Sequence, residues 1–204
     1  MPNWCNNNIE ITGPAKTINA VWTATQAEDG GLLNAMVPMP KALRDTTKGT
    51  GDELQTEQYD GFTNWYDWSV SRWGTKWDID LEGIEYTDNG DGTATISGYF
   101  DSAWSPPIEA YNRFLAANPD FTITGSYYEC GMDFAGFYDN GDDESLDNLH
   151  DEYDLPEDEQ SDLFKRLDEE YALSEQFDQY DEDDEDDEVV DNTDAVNALF
   201  NPKE

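Results

Sequence analysis

The chain has 204 residues, 48 of them Asp or Glu against 10 Lys or Arg, for a formal net charge of -38. Holding DNA or RNA phosphates calls for a basic face, so this balance excludes direct nucleic-acid binding and favours cationic partners or proteins that themselves hold nucleic acid. Two cysteines and one histidine (Cys5, Cys130 and His150) are too few for a disulfide framework or a four-ligand zinc site, and no apolar run nears the roughly 18 residues of a membrane span.

In WCNNNIEIT, Cys5, Asn7, Ile9 and Ile11 alternate with Asn6, Asn8 and Glu10, the pattern of a half-buried strand. Gly13-Pro14 breaks it. Ile18, Val21, Trp22 and Thr25 then recur at helical spacing, which predicts a helix ended by EDGG. Residues 31–61 read as a long irregular connection without an assigned role. From Phe62 to Trp73 the spacing predicts a short helix, with Tyr66, Val70 and Trp73 on one face, Trp65 and Trp68 on another, and Gly74 as a left-handed cap. The period then changes to two, with Thr75, Trp77, Ile79 and Leu81 on one side and Lys76, Asp78, Asp80 and Glu82 on the other.

Glu82-Gly83 shifts the alternation onto Ile84 and Tyr86, as a bulge would, and DNGDG turns the chain into a strand carrying Ala94, Ile96, Gly98 and Phe100. Next, Ser105 can cap a helix with Pro106 in its first turn, an apolar face of Ile108, Tyr111, Phe114 and Leu115, and a stop at Asn118-Pro119. FTITGSYYECGMDFAGFY is a last strand, or a strand pair bent at Gly131. The order predicts an α+β, ferredoxin-like (split β-α-β) antiparallel sheet with helices on one face over residues 1–138.

PNWCNN at 2–7, WGTKWD at 73–78, SAWSPP at 102–107 and YECGMDFAG at 128–136 together resemble the YubB-type ferredoxin-like domain family of phage and plasmid proteins. The likeness covers residues 1 to about 140. It implies a phage or plasmid origin and an α+β sandwich, and it brings no established reaction. In a ferredoxin-like order the first and last strands are antiparallel neighbours, so Cys5 and Cys130 should lie close together as reduced thiols.

Four of the seven tryptophans fall within residues 64–78. The economical reading makes them core, with Trp77 inward on its strand and Trp73 closing the helix. The sharper reading opens a small-ligand or nucleotide cleft around Trp65, Trp68, Lys76 and Asp78, with Lys76 holding a phosphate or carboxylate; against it, such a lysine commonly pairs with neighbouring acids. Stacked bases would want a cationic groove, and only Arg72 and Lys76 are at hand. No nucleophile–base arrangement, P-loop, zinc-protease or dinucleotide signature is present, so an enzyme is not expected and no cofactor or metal is assigned.

Residues 139–204 hold 28 acids and 3 bases. This acidic extension is predicted to carry an amphipathic helix over about 156–177, with Leu163, Phe164, Leu167 and Tyr171 on its apolar face, which either docks on the domain or meets a partner. Then come eight unbroken carboxylates, Asp181, Glu182, Asp183, Asp184, Glu185, Asp186, Asp187 and Glu188, and a short apolar end. If helical, such a run presents one charge per about 1.5 Å, close to the roughly 1.7 Å of duplex DNA. In an extended chain the density is about half that, and the bland reading is a solubilising tail.

The sequence thus points to a cytoplasmic accessory protein that binds a basic, nucleic-acid-binding host defence protein through carboxylates imitating a polyanion, without membrane contact. The small-ligand domain, and a structural phage component, stay open beside it.

Overall fold

The computed structural model describes residues 3–28, 30–46 and 59–179. The chain divides into two compact units, Met1–Leu149 and His150–Glu204. The first is an α+β unit built as β1 (Trp4–Pro14), α1 (Ala15–Thr25), α2 (Leu32–Met36), α3 (Lys41–Arg44), α4 (Trp65–Trp73), β2 (Ile84–Asp88), β3 (Thr93–Ala103), α5 (Ile108–Ala117), β4 (Thr122–Glu129), β5 (Phe134–Asp139) and β6 (Asp142–Asp147). Its six strands form one sheet in the order β2-β3-β1-β4-β5-β6, with every neighbouring pair antiparallel.

The alternation read in β1 is the alternation found: Cys5, Asn7, Ile9 and Ile11 are buried, and Trp4, Asn6 and Glu10 are exposed. Ile9, Ile11, Ile96 and Ile123 share one core with Ile18 and Val21 of α1 and with Tyr111 and Phe114 of α5. Asn7 is tolerated inside because its amide donates to the Cys5 carbonyl at 2.7 Å and to Ser102 Oγ at 2.9 Å. The β2–β3 hairpin turns where DNGDG predicts it, and the stretch after Pro119 is the bent strand pair β4–β5. Strands β1 and β4 are antiparallel neighbours, as expected. Extending their register beyond Asn6↔Tyr128 sets Cys5 opposite Glu129, one residue short of Cys130, and both thiols are free.

Several expectations are corrected. Residues 75–82 alternate but form no strand, because side chains take up their backbone groups. The Ser69 hydroxyl donates to the Lys76 carbonyl at 2.8 Å, and the Asp78 carboxylate accepts the N–H of Ile79 at 2.9 Å. Trp77 is consequently exposed instead of pointing inward. Asn64, whose side chain accepts from the Asp67 N–H, caps α4, and Gly74 ends it in the left-handed region at φ 87, as read. The face of α4 that is buried, however, is Trp68, Ser69 and Trp73, with Val70 outside. Ser105 does not cap α5; its hydroxyl donates to the Gly74 carbonyl at 2.6 Å, and Pro107 holds the cap position. Part of the 31–61 connection is helical, as α2 and α3; its residues 47–58 lie outside the described residues.

The first unit also runs past residue 138. Strand β6 pairs with β5 through an Asn140–Gly141 turn in which both residues have positive φ, 51 and 107. Asn-Gly is a strong hairpin signal, overridden in the sequence by the charge around it. After α6 (Leu149–Tyr153), the second unit carries α7 (Asp162–Tyr171), started by the Ser161 side chain accepting from the Phe164 N–H. The helix expected over 156–177 is shorter because Ala172 turns left-handed at φ 52. Asp168 then accepts from the Ser174 N–H at 2.7 Å, so residues 173–179 form a separate helical stretch.

Candidate functional site

The segment 77–83 and the ends of β1 and β3 enclose a cavity of about 430 Å³. Trp4, Trp77 and Tyr99 wall it, and they stay 50%, 39% and 67% exposed. The rings of Trp4 and Trp77 lie 6.1 Å apart at 37°. Asp78, Asp80, Glu82 and Asp101 add carboxylates to the lining. The placement follows from the strands: positions 4, 99 and 101 are out of phase with the buried set of β1 and β3. Trp77 joins them because its segment leaves the sheet, tied by the Thr75 hydroxyl to the Ala103 carbonyl at 2.9 Å.

Lys76 sits among rings instead of acids. Its ammonium lies 4.1 Å from the Trp77 centroid, 5.1 Å from Trp104 and 5.9 Å from Tyr66. Cation–π attraction to three faces is the physical reason for that position. A lysine so held is not extended toward an incoming phosphate.

The other residues of the predicted cleft separate. Trp68 is 2% exposed and meets Trp73 edge-on at 5.3 Å, so it is core and lines no cleft. Asp78 lines the first cavity and, with Trp65, also a second, shallower one of about 290 Å³ beside Asn34, Met39 and Arg44. Asp78 is largely occupied there: it accepts the N–H groups of Leu33 at 2.8 Å, Asn34 at 3.0 Å and Ile79 at 2.9 Å, holding the start of α2. Burial raises its carboxyl above the ordinary range, and those three bonds pull the other way. The structure therefore brings together Trp4, Trp77, Tyr99 and four carboxylates, Asp78 among them, and leaves Trp65, Trp68 and Lys76 of the predicted quartet outside that lining. Trp4 and Tyr99 were legible as outward-facing aromatics of alternating strands. Their convergence with Trp77 was not.

Burial pushes the Cys5 thiol up to about 12, with Glu129 and Asp101 adding to the rise, so it is held protonated. The buried Glu129 accepts from the N–H groups of Gly131 at 2.9 Å and Met132 at 2.6 Å, closing the β4–β5 turn. His150 is exposed and stacks on Phe177 at 3.9 Å. Among the described residues no group of three or more His, Cys, Asp or Glu is placed to hold a metal ion, and no helix is long and apolar enough to cross a membrane.

In the second unit Phe164 and Leu167 are buried, and Leu163 and Tyr171 are half-buried, so the apolar face expected either to dock or to meet a partner is largely covered. The run Asp181–Glu188 lies outside the described residues.

No family model and no curated protein matches the chain. Among solved structures, the crystal structure of a protein api92 from Yersinia pseudotuberculosis, of family DUF1281, is similar at 12% identity and a TM-score of 0.35, covering 72% of this chain and 98% of that one. A likeness at that level carries no argument about function.

Proposed function

We propose that this is a phage- or plasmid-encoded accessory protein of the YubB-type, ferredoxin-like kind, which binds a basic, nucleic-acid-binding host protein and displaces its nucleic acid. On this reading β1 to β4, ordered β2-β3-β1-β4 with α1 and α5 as connections, form the split β-α-β unit, and β5–β6 extends it. The protein works by association, with no chemistry of its own, in the host cytoplasm.

The observation that carries the reading is the carboxylate excess, which ten cations cannot pair one by one among 48 acids. It is not confined to residues 181–188. Asp142, Asp143, Glu144 and Asp147 of β6 are exposed, as are Asp151, Asp154, Glu157, Asp158 and Glu159 beyond it. A charged edge strand also prevents edge-to-edge pairing, so β6 alone would support nothing more than that. Exposed carboxylates thus occur in each unit, and the acidic composition from 139 onward supports the polyanion-like reading. The small-ligand alternative draws less support, since Trp68 is core and Asp78 is committed to backbone N–H groups.

Counterion release would drive such a contact, and affinity should then fall steeply with salt. The test is capture of host proteins by the full chain and by a variant with residues 181–188 changed to the corresponding amides. The expected result is capture of nucleic-acid-binding proteins that added duplex DNA releases, weakened by high salt and by the amide changes. Capture indifferent to salt, to DNA and to the amides removes the proposal.

A further inference from the structure

We propose that the pocket walled by Trp4, Trp77 and Tyr99 takes the cationic side chains of a basic polypeptide, arginine in preference to lysine. This rests on the function proposed above for its choice of partner, and it names where on the folded first unit that partner is gripped.

The chemistry of the lining points to a cation. Aromatic faces attract positive charge through the ring quadrupole, and carboxylates beside them supply the counter-charge. Trp4, Trp77 and Tyr99 offer the faces, and Asp80, Glu82 and Asp101 the charge; no Lys or Arg is among the lining residues. An anionic ligand would face those carboxylates with no cation in the lining to offset them. The volume of about 430 Å³ falls within the range of about 300–1,000 Å³ common for ligand pockets.

The adjoining ring cluster already holds one cation. Lys76 Nζ lies 4.1 Å from the Trp77 centroid and 5.1 Å from that of Trp104, an ammonium of the chain itself settled on these indoles. Asp78 also lines the pocket and is spent on backbone N–H groups, but the other lining carboxylates are not committed to that extent. Asp101 accepts from the Asn6 side-chain amide at 2.7 Å through one oxygen, and Asp80 accepts from the Glu82 N–H at 3.0 Å through one oxygen. Each keeps a second oxygen for a guanidinium, whose planar fork suits carboxylate pairing and ring stacking better than an ammonium does.

The test uses the full chain labelled with nitrogen-15, titrated with octa-arginine and with octa-lysine at about physiological salt, where the Debye length is about 8 Å. The indole N–H signals are the readout, assigned with Trp4→Phe and Trp77→Phe. The expected result is saturable movement of the Trp4 and Trp77 signals, with those of buried Trp68 and Trp73 unmoved, and tighter binding for arginine. Trp4→Ala and Tyr99→Ala should each weaken it about two- to fivefold, and the near-isosteric combination Asp80→Asn, Glu82→Gln and Asp101→Asn should weaken it further. Unchanged Trp68 and Trp73 signals show that each variant is folded.

Still Trp4 and Trp77 signals at peptide saturation would overturn the proposal, as would undiminished pocket affinity in the triple variant. The two readings fail separately. Static pocket signals, with host capture still weakened by salt and by amides at 181–188, sink the pocket alone. A responsive pocket with capture indifferent to salt, to DNA and to those amides sinks the proposed function and leaves the pocket standing.

Discussion

Asp78 is a carboxylate in a run of outward-looking acids that turns instead into the protein and accepts the N–H groups of Leu33, Asn34 and Ile79. Asp78→Asn would set an amide N–H against at least one of those donors, which should cost about 1–3 kcal/mol in urea unfolding at neutral pH. Because burial raises this carboxyl in the folded chain, the folded state takes up the proton before the unfolded state does. The wild type therefore gains stability, relative to the amide variant, as pH falls through the raised value toward the ordinary one of about 3.9. The deficit of Asp78→Asn should widen on acidification; a deficit that shrinks would contradict the burial of the charged form. Lys76 teaches the same lesson from the other sign. Its sequence neighbours offered acids, but the fold offered three ring faces.

The β5–β6 hairpin marks where composition misleads. Residues 139–144, DNGDDE, look like a boundary because charge rises there. Yet the Asn140–Gly141 turn brings Asp143 to the Tyr127 hydroxyl, which donates to its carboxylate at 2.6 Å. Burial, and then that bond, raise the Tyr127 hydroxyl well above its ordinary value. A chain cut after residue 138 would leave β5 as a bare edge and Tyr127 without this partner, so it should melt below a chain cut after residue 149. Comparing the two truncated chains by thermal unfolding checks this, and equal midpoints would make β6 an ornament. Gly141→Ala in the full chain should cost about 1–2 kcal/mol, since φ 107 excludes an L side chain although space is free.

Self-repulsion follows from a net charge of -38 in any conformation, but it is strongest in the compact one. Raising salt shortens the Debye length from about 30 Å at 0.01 M to about 3 Å at 1 M. The melting temperature should therefore climb with sodium chloride, by about 2–4 °C for each kcal/mol of repulsion relieved. A flat response would show that the carboxylates are already neutralised, for example by bound cations, and would weaken the polyanion reading with it.

Periodicity, with the turn residues of DNGDG and the stop at Asn118-Pro119, located β1, α1, the β2–β3 hairpin and α5, because in each the buried face repeats with the backbone's own period. Charge is the ground on which a basic partner is proposed. Residues 75–82 show where such reading stops: they alternate as a strand does, but hydrogen bonds from Ser69, Thr75 and Asp78 claim the segment and turn Trp77 outward. The pocket of Trp4, Trp77 and Tyr99 exists only because three segments far apart in the chain converge. Convergence of that kind depends on strand register and on side-chain bonds across the fold, and neither leaves a trace in the spacing of residues along any one element.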